Sequence, residues 1–173
     1  MDSLKIGSKS KSGENLKRGS MPVPTAEELE VKRFLNDFAK SIRAGEIDEI
    51  MSFYARDLTA FDMMPPLKFE GLGGYRRVAW EECFTEVMDF PITYEWVDQK
   101  ITVRDDLAFA HSLIHMTGST KKEGKKMEAW LRSTIGLQLG SKGWLIFHEH
   151  NSAPSDKDSG QVLMNLKPYE SAH

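Results

Sequence analysis

Only one cysteine, Cys83, occurs in the 173-residue chain, which excludes an internal disulfide and makes a reducing, cytoplasmic setting the expectation. Long apolar runs are missing as well. No stretch approaches the ~20 residues that span a bilayer, and the N-terminus lacks the apolar centre of a signal peptide, so no membrane partner is expected. Net positive charge is confined to the leader. The first 24 residues hold five basic and two acidic side chains, and with a formal net charge of -3 the remainder carries -6. Nucleic-acid binding rests largely on neutralising phosphates, so an acidic body excludes nucleic acid from the expected partners. Residues 1–20 have scarcely any apolar side chains and cannot bury enough surface to offset the entropy of ordering. Residues 1–24 therefore read as a disordered leader or, given Gly19-Ser20-Met21, an expression remnant; 25–154 as one domain; and 155–173 as a C-terminal tail.

The body has what a domain needs, since 40% hydrophobic composition at this length supports a substantial core. Thr25 followed by Glu28 forms a capping box; Val31, Leu35, Phe38 and Ile42 recur at helical spacing; and Gly45 supplies a left-handed stop. A first helix over about Ala26 to Ala44 follows. Glu46 and Asp48 favour a second helix start, with Ile47, Ile50, Met51 and Tyr54 as its apolar stripe. A weakly alternating segment, Leu58 to Met63, ends at Pro65-Pro66, and a third helix runs from Tyr75 to Met88. From Ile92 the period changes to two, giving long strands at Ile92 to Val103, Leu107 to Gly118, Met127 to Leu139 and Trp144 to Ser152. Consecutive strands with short turns imply an antiparallel sheet, and helices grouped at one end of the chain cover one face of it, so the fold class is α+β.

A turn at Ser141-Lys142 places Leu139 opposite Trp144, whether it has two residues or belongs to a four-residue loop; a three- or five-residue loop breaks this register. In that register Arg132, Thr134, Glu149 and Asn151 project from one side with Trp130 and Phe147, a mixture suited either to a ligand pocket or to a half-buried ion pair between strands. Ser133, Ile135, Trp144, Ile146, His148 and His150 take the other side. His148 and His150 share a face, as do His111 and His115, which is a spacing that can hold zinc or iron. No carboxylate is placed to support such a site, and the first 90 residues are too helical for an all-β metal fold, so neither metal nor other cofactor is expected.

The segment Arg43-Ala44-Gly45-Glu46-Ile47-Asp48 through Tyr54-Ala55-Arg56-Asp57 resembles the opening of the nuclear transport factor two-like superfamily. The ending, Gly143-Trp144-Leu145-Ile146-Phe147-His148-Glu149-His150-Asn151-Ser152-Ala153-Pro154, is similar to the close of its SnoaL-like branch and also to the association domain of calcium/calmodulin-dependent kinases. The resemblance spans about Thr25 to Pro154. It implies a cone, in which a bent antiparallel sheet wraps around a cavity closed by three N-terminal helices, with homodimers formed through the outer sheet face. The Trp144, Ile146, His148 and His150 face is the surface expected to serve that dimer.

The superfamily hosts isomerases, dehydratases, cyclases and noncatalytic modules, so function has to come from the site. Beside ketosteroid isomerase, Asp62 falls on the position of the general-base aspartate, which makes it the expected catalytic residue; a local capping role is its bland alternative. Phe38 stands where that enzyme has an oxyanion-hole tyrosine, and no carboxyl occurs over Arg132 to Ile135, where its second donor maps. Arg132 then suggests an anchor for an anionic group, with Glu149 orienting it and Asn151, Tyr54 and Trp130 shaping the pocket. The expected function is a cofactor-independent isomerase, dehydratase or cyclase acting on a small apolar carbonyl or acidic substrate. A noncatalytic ligand-binding or assembly module is the alternative.

Overall fold

Thr25 starts the first helix by a reciprocal pair of hydrogen bonds: its Oγ1 accepts from Glu28 N at 3.2 Å, and its own N donates to Glu28 Oε2 at 3.0 Å. Helix α1 (Ala26–Ala44) ends at Gly45, whose φ of 73° is left-handed and whose missing Cβ leaves room for the Phe90 ring, 2.9 Å from where that atom would be. The computed structural model describes residues 23–168, so the expected disorder of residues 1–20 and the last five residues of the tail lie outside the described part. After α1 come α2 (Ile47–Ser52), β1 (Tyr54–Phe61), β2 (Phe69–Glu70), α3 (Leu72–Tyr75), a π-helix (Arg76–Val87), β3 (Met88–Arg104), β4 (Leu107–Thr120), β5 (Lys126–Gly140) and β6 (Gly143–Ser152).

The fold class is α+β as expected, with N-terminal helices against a curved, unclosed sheet of six strands in the order β2-β1-β6-β5-β4-β3. Strands β3 to β6 form the expected antiparallel meander. One correction concerns β1, which pairs parallel with β6, so the sheet is mixed rather than antiparallel throughout. Another concerns Tyr54. It opens β1 instead of closing a helical stripe, because α2 stops at Ser52 and Phe53 O accepts from Ile146 N at 2.9 Å. The third helix is π-helical over Arg76–Val87, and its buried residues Trp80 and Phe84 continue a row that starts at Tyr75, the last residue of α3.

The register of the last hairpin holds only near its turn. Leu139 faces Trp144 and Leu137 faces Ile146, but Gly136 then faces His148, so Phe147 is the extra residue of a β-bulge. Gly136 makes room for it: a Cβ there would lie 2.9 Å from Phe147 Cζ and 3.3 Å from His148 Cβ. Beyond the bulge every β6 side chain changes sides. Ile135 now faces Glu149, Ser133 faces Asn151 and Thr134 faces His150.

Leu35, Phe38 and Ile42 of α1 meet Ile114, Ile135, Leu137 and Ile146 of the sheet in one core. Each such buried side chain contributes ~1.5–3 kcal/mol. Trp144 (5% exposed) and Ile146 (0%) belong to that core, which corrects their assignment to the outward dimer face. The tail is tied down as well. Met164 O accepts from Trp130 N at 2.7 Å, Leu163 N donates to Pro154 O at 2.8 Å, and Ser155 bridges to Val162. No helix among the described residues is long and apolar enough to cross a membrane.

Candidate functional site

Glu149 is 1% exposed, yet it sits among partners rather than alone. The bulge turns it inward, where its Oε2 accepts from Tyr54 Oη at 2.5 Å and from Tyr75 Oη at 3.2 Å, and its Oε1 accepts from Asn151 Nδ2 at 2.8 Å. Tyr54 arrives from β1, Tyr75 from the end of α3, and Asn151 from two residues along β6. Burial pushes the Glu149 carboxyl above its ordinary value, opposed by the hydrogen bonds from Tyr54 and Asn151, while the charge of Asp62 adds to the rise. Tyr54, Tyr75 and Tyr94 are all raised well above the usual phenol range, first by burial and then by the Glu149 charge. Cys83 is pushed up to about 11 by burial and the nearby Asp62, so it remains a thiol at neutral pH.

Asp62 follows directly on β1. Its Oδ1 accepts from Met64 N at 3.0 Å, the local bond of an aspartate turn, and its Oδ2 lies 3.2 Å from Tyr75 Oη. A phenol has one proton, but Tyr75 Oη stands 3.2 Å from a carboxyl oxygen on either side. The single phenolic proton serves one of these contacts at a time, so Tyr75 joins Asp62 and Glu149 in one hydrogen-bonding chain.

Asp62 and Asn151 also line an open groove of about 580 Å³, walled by Phe61, Met63, Leu67 and Val162. Deeper in, Tyr54, Tyr75, Trp80, Phe84 and Phe38 pack edge to face, with ring centroids 5.5 to 6.3 Å apart. Two buried polar atoms of this region have no partner in the protein: Trp80 Nε1 and Asn151 Oδ1.

Of the residues singled out in the sequence, the structure brings together Asp62, Glu149, Asn151 and Tyr54. It separates Arg132 and Trp130 from them. Arg132 is exposed and lies on the outer sheet face, between Leu113 and Ser152 on the neighbouring strands. Trp130 is also on that face, stacked on His115 at 4.3 Å, with Glu128 bridging the two side chains. The expected pairing of Arg132 with Glu149 fails because the bulge moves Glu149 to the opposite side. His148 and His150 do face outward as expected, packed against Phe61, and His148 Nδ1 lies 3.0 Å from Thr59 O. Among the described residues no three His, Cys, Asp or Glu side chains converge as metal ligands would. No sequence spacing marks Tyr75, because its partners lie 13 and 74 residues away. The one available signal for the bulge is Gly136, a glycine inside a strand.

The sequence profile of the SnoaL-like domain matches residues 31–156. Among solved structures, a nuclear transport factor two-like protein of unknown function from Pseudomonas putida is 30% identical with a TM-score of 0.72, covering 85% of this chain and 100% of its own. A candidate scytalone dehydratase from Novosphingobium aromaticivorans (12% identity, TM-score 0.67, 85% and 95% covered) and a ketosteroid isomerase-like protein from Erwinia carotovora (17%, 0.63, 73% and 95%) share the fold. No curated protein matches the sequence. The cone of helices and curved sheet, its inward carboxyl and the profile match agree, and the chain belongs to the SnoaL-like domain family of the nuclear transport factor two-like superfamily.

Proposed function

We propose that the chain is a cofactor-independent acid/base enzyme that isomerises, dehydrates or cyclises a small apolar carbonyl compound. The observation that carries this reading is the Asp62–Tyr75–Glu149 chain, which joins a carboxyl at a groove to a buried carboxyl of raised pKa through one phenol. Each of those reactions requires a proton to be taken from carbon and another delivered to oxygen or carbon. Asp62 is the group at the groove and acts as the base. Asp62 accepts a proton from a substrate carbon and returns it to oxygen or carbon, while Tyr75 Oη, between Asp62 Oδ2 and Glu149 Oε2, donates to whichever carboxyl is ionised. Tyr54 and Asn151 hold Glu149 in place. The dehydratase and isomerase names of structural neighbours are in keeping with such chemistry.

Deuterium exchange provides a test that does not need the true substrate. A panel of cyclic ketones and hydroxy ketones in D2O is expected to exchange α-hydrogens faster with the protein than in buffer, read by proton NMR. Asp62→Asn lowers that rate by roughly 10²- to 10⁴-fold, the usual share of a positioned acid/base group, with the fold intact by circular dichroism. Exchange no faster than buffer across the panel would overturn the catalytic reading.

A second reading, a noncatalytic ligand-binding or assembly module, draws on the fact that both Glu149 oxygens already have protein partners. It predicts ligand binding without exchange. Under either reading we propose a homodimer through the outer sheet face, which exposes Phe109 at 51% and Phe61 at 38% beside the histidines. The single half-buried thiol suits a reducing, cytoplasmic compartment.

A further inference from the structure

Val97, Leu113, Arg132 and Ser152 stand in one cross-strand row of the outer sheet face, and Lys100, His111, Thr134, His150 and Phe61 stand in the next. Lys100 reaches that face through an irregularity. Between the pairs Val97–Leu113 and Lys100–His111, β3 advances three residues against two on β4, and within that bulge Asp98 takes a left-handed φ of 53°. Strict alternation from Val97 would turn Lys100 to the other side of the sheet.

The bulge brings Lys100 to a hollow of about 480 Å³ that Arg132, His111 and Thr134 also line. Among the described residues, neither Lys100 nor Arg132 stands at ion-pair distance from a carboxylate. His111 adds ring nitrogens to them and Thr134 a hydroxyl. Asp98 is the one carboxylate at the hollow, so a ligand with a single negative charge fits it better than one with two.

This hollow adjoins the groove at the end of β6. Ser152 and His150 line the groove, and their direct partners on β5 are Arg132 and Thr134, which line the hollow. Neighbouring strands lie ~4.8 Å apart, so about 10 Å separates Phe61 on β1 from Thr134 on β5. The groove half is apolar, walled by Phe61, Met63, Leu67 and Val162. Its own carboxylate, Asp62, is already engaged with Met64 N and Tyr75 Oη. Groove and hollow together form a trough that is apolar at one end and cationic at the other.

We infer that this trough binds an apolar acid, with the carboxylate in the hollow on Arg132 and Lys100 and the hydrocarbon body lying past Ser152 and His150 into the groove. The planar guanidinium of Arg132 presents paired donors that match a carboxylate. Proton chemistry at Asp62 plays no part in such binding, so the two readings stand or fall separately. Phe61 and Phe109 border the trough and also belong to the face proposed to join two copies, so a ligand and a second copy exclude each other there.

Octanoate, octanol and octylamine share one chain and differ in head group. Titrated separately at low salt and followed through backbone amide NMR shifts, octanoate is expected to move both His111 and Thr134 in the hollow and Ser152 and Val162 in the groove. It binds about ten-fold tighter than octanol and tighter still than octylamine. Arg132→Gln weakens octanoate about five-fold and leaves octanol unchanged, in keeping with an ion pair open to solvent, and Lys100→Gln acts in the same direction. Val162→Ser weakens octanoate and octanol alike. Octanol or octylamine binding as tightly as octanoate, octanoate affinity unchanged in both the Arg132 and Lys100 variants, or octanoate shifts confined to one half of the trough would each overturn the inference.

Discussion

Burial and hydrogen bonding pull Glu149 in opposite directions, and burial is the larger effect. A carboxyl raised above its ordinary value of 4.5 in the folded state contributes stability that is complete below that value and is lost as pH rises through the folded pKa, since the folded chain then holds a proton that the unfolded chain has released. Glu149→Gln keeps the shape and cannot ionise. Thermal unfolding from pH 4 upward is therefore expected to show a falling contribution in the wild type, of at most about 1.4 kcal/mol per pH unit for one proton, that the variant lacks. Parallel curves for the two proteins would mean that Glu149 titrates normally. Tyr75 works at the same scale. Its Oη stands between two carboxyl oxygens and so links Asp62 at the groove to the buried Glu149.

Strand β6 does two jobs with one irregularity. Before Phe147 its inward residues are Trp144 and Ile146, which fill the core; after it the inward residues are Glu149 and Asn151, which build the site. The bulge is what switches a hydrophobic strand into a functional one without breaking the ladder. Gly136 on β5 permits it, and a larger residue there meets the Phe147 ring. Gly136→Val is expected to cost about 1–3 kcal/mol in chemical denaturation, as overpacking usually does, and Phe147→Ala in the same background recovers part of it. Additive losses in the double variant would show that the two side chains do not compete for one space. The π-helix acts at this scale too, bringing Tyr75 and Trp80 onto one face although they stand five residues apart.

For the molecule as a whole, the two faces of the sheet differ. The inner face meets the helices around the carboxyl cluster, and the outer face presents Phe109, Phe61 and the Trp130–His115 stack. If the outer face joins two copies, Phe109→Lys on each chain places like charges in an apolar interface and converts a dimer to a monomer by light scattering, while ligand binding in the groove persists. A wild-type chain that scatters as a monomer at high concentration would remove the dimer. The groove draws on four parts of the chain: the end of β1, the loop after it at Leu67, the end of β6 and the C-terminal tail at Val162. The shape of the groove therefore depends on the tail's hydrogen bonds to Trp130 and Pro154 as well as on the sheet.

Local rules were enough for much of this. The bounds of α1, its capping box and its glycine stop, the four period-two strands and the turn at Ser141-Lys142 were legible from neighbouring residues, because caps, periodicity and turns are short-range effects, whereas the choice of Asp62 came from the resemblance to a family. The tertiary structure decided which carboxyl is buried, which tyrosine joins it and where Arg132 stands. A bulge inserts a single residue, and its position depended on a glycine of the adjacent strand rather than on β6 itself, so alternation counted from the turn put Glu149 on the wrong side. The parallel pairing of β1 with β6 and the contact of Tyr75 with Asp62 and Glu149 close long loops, and they exist because burying the apolar faces of helix and sheet together outweighs the entropy of closing them.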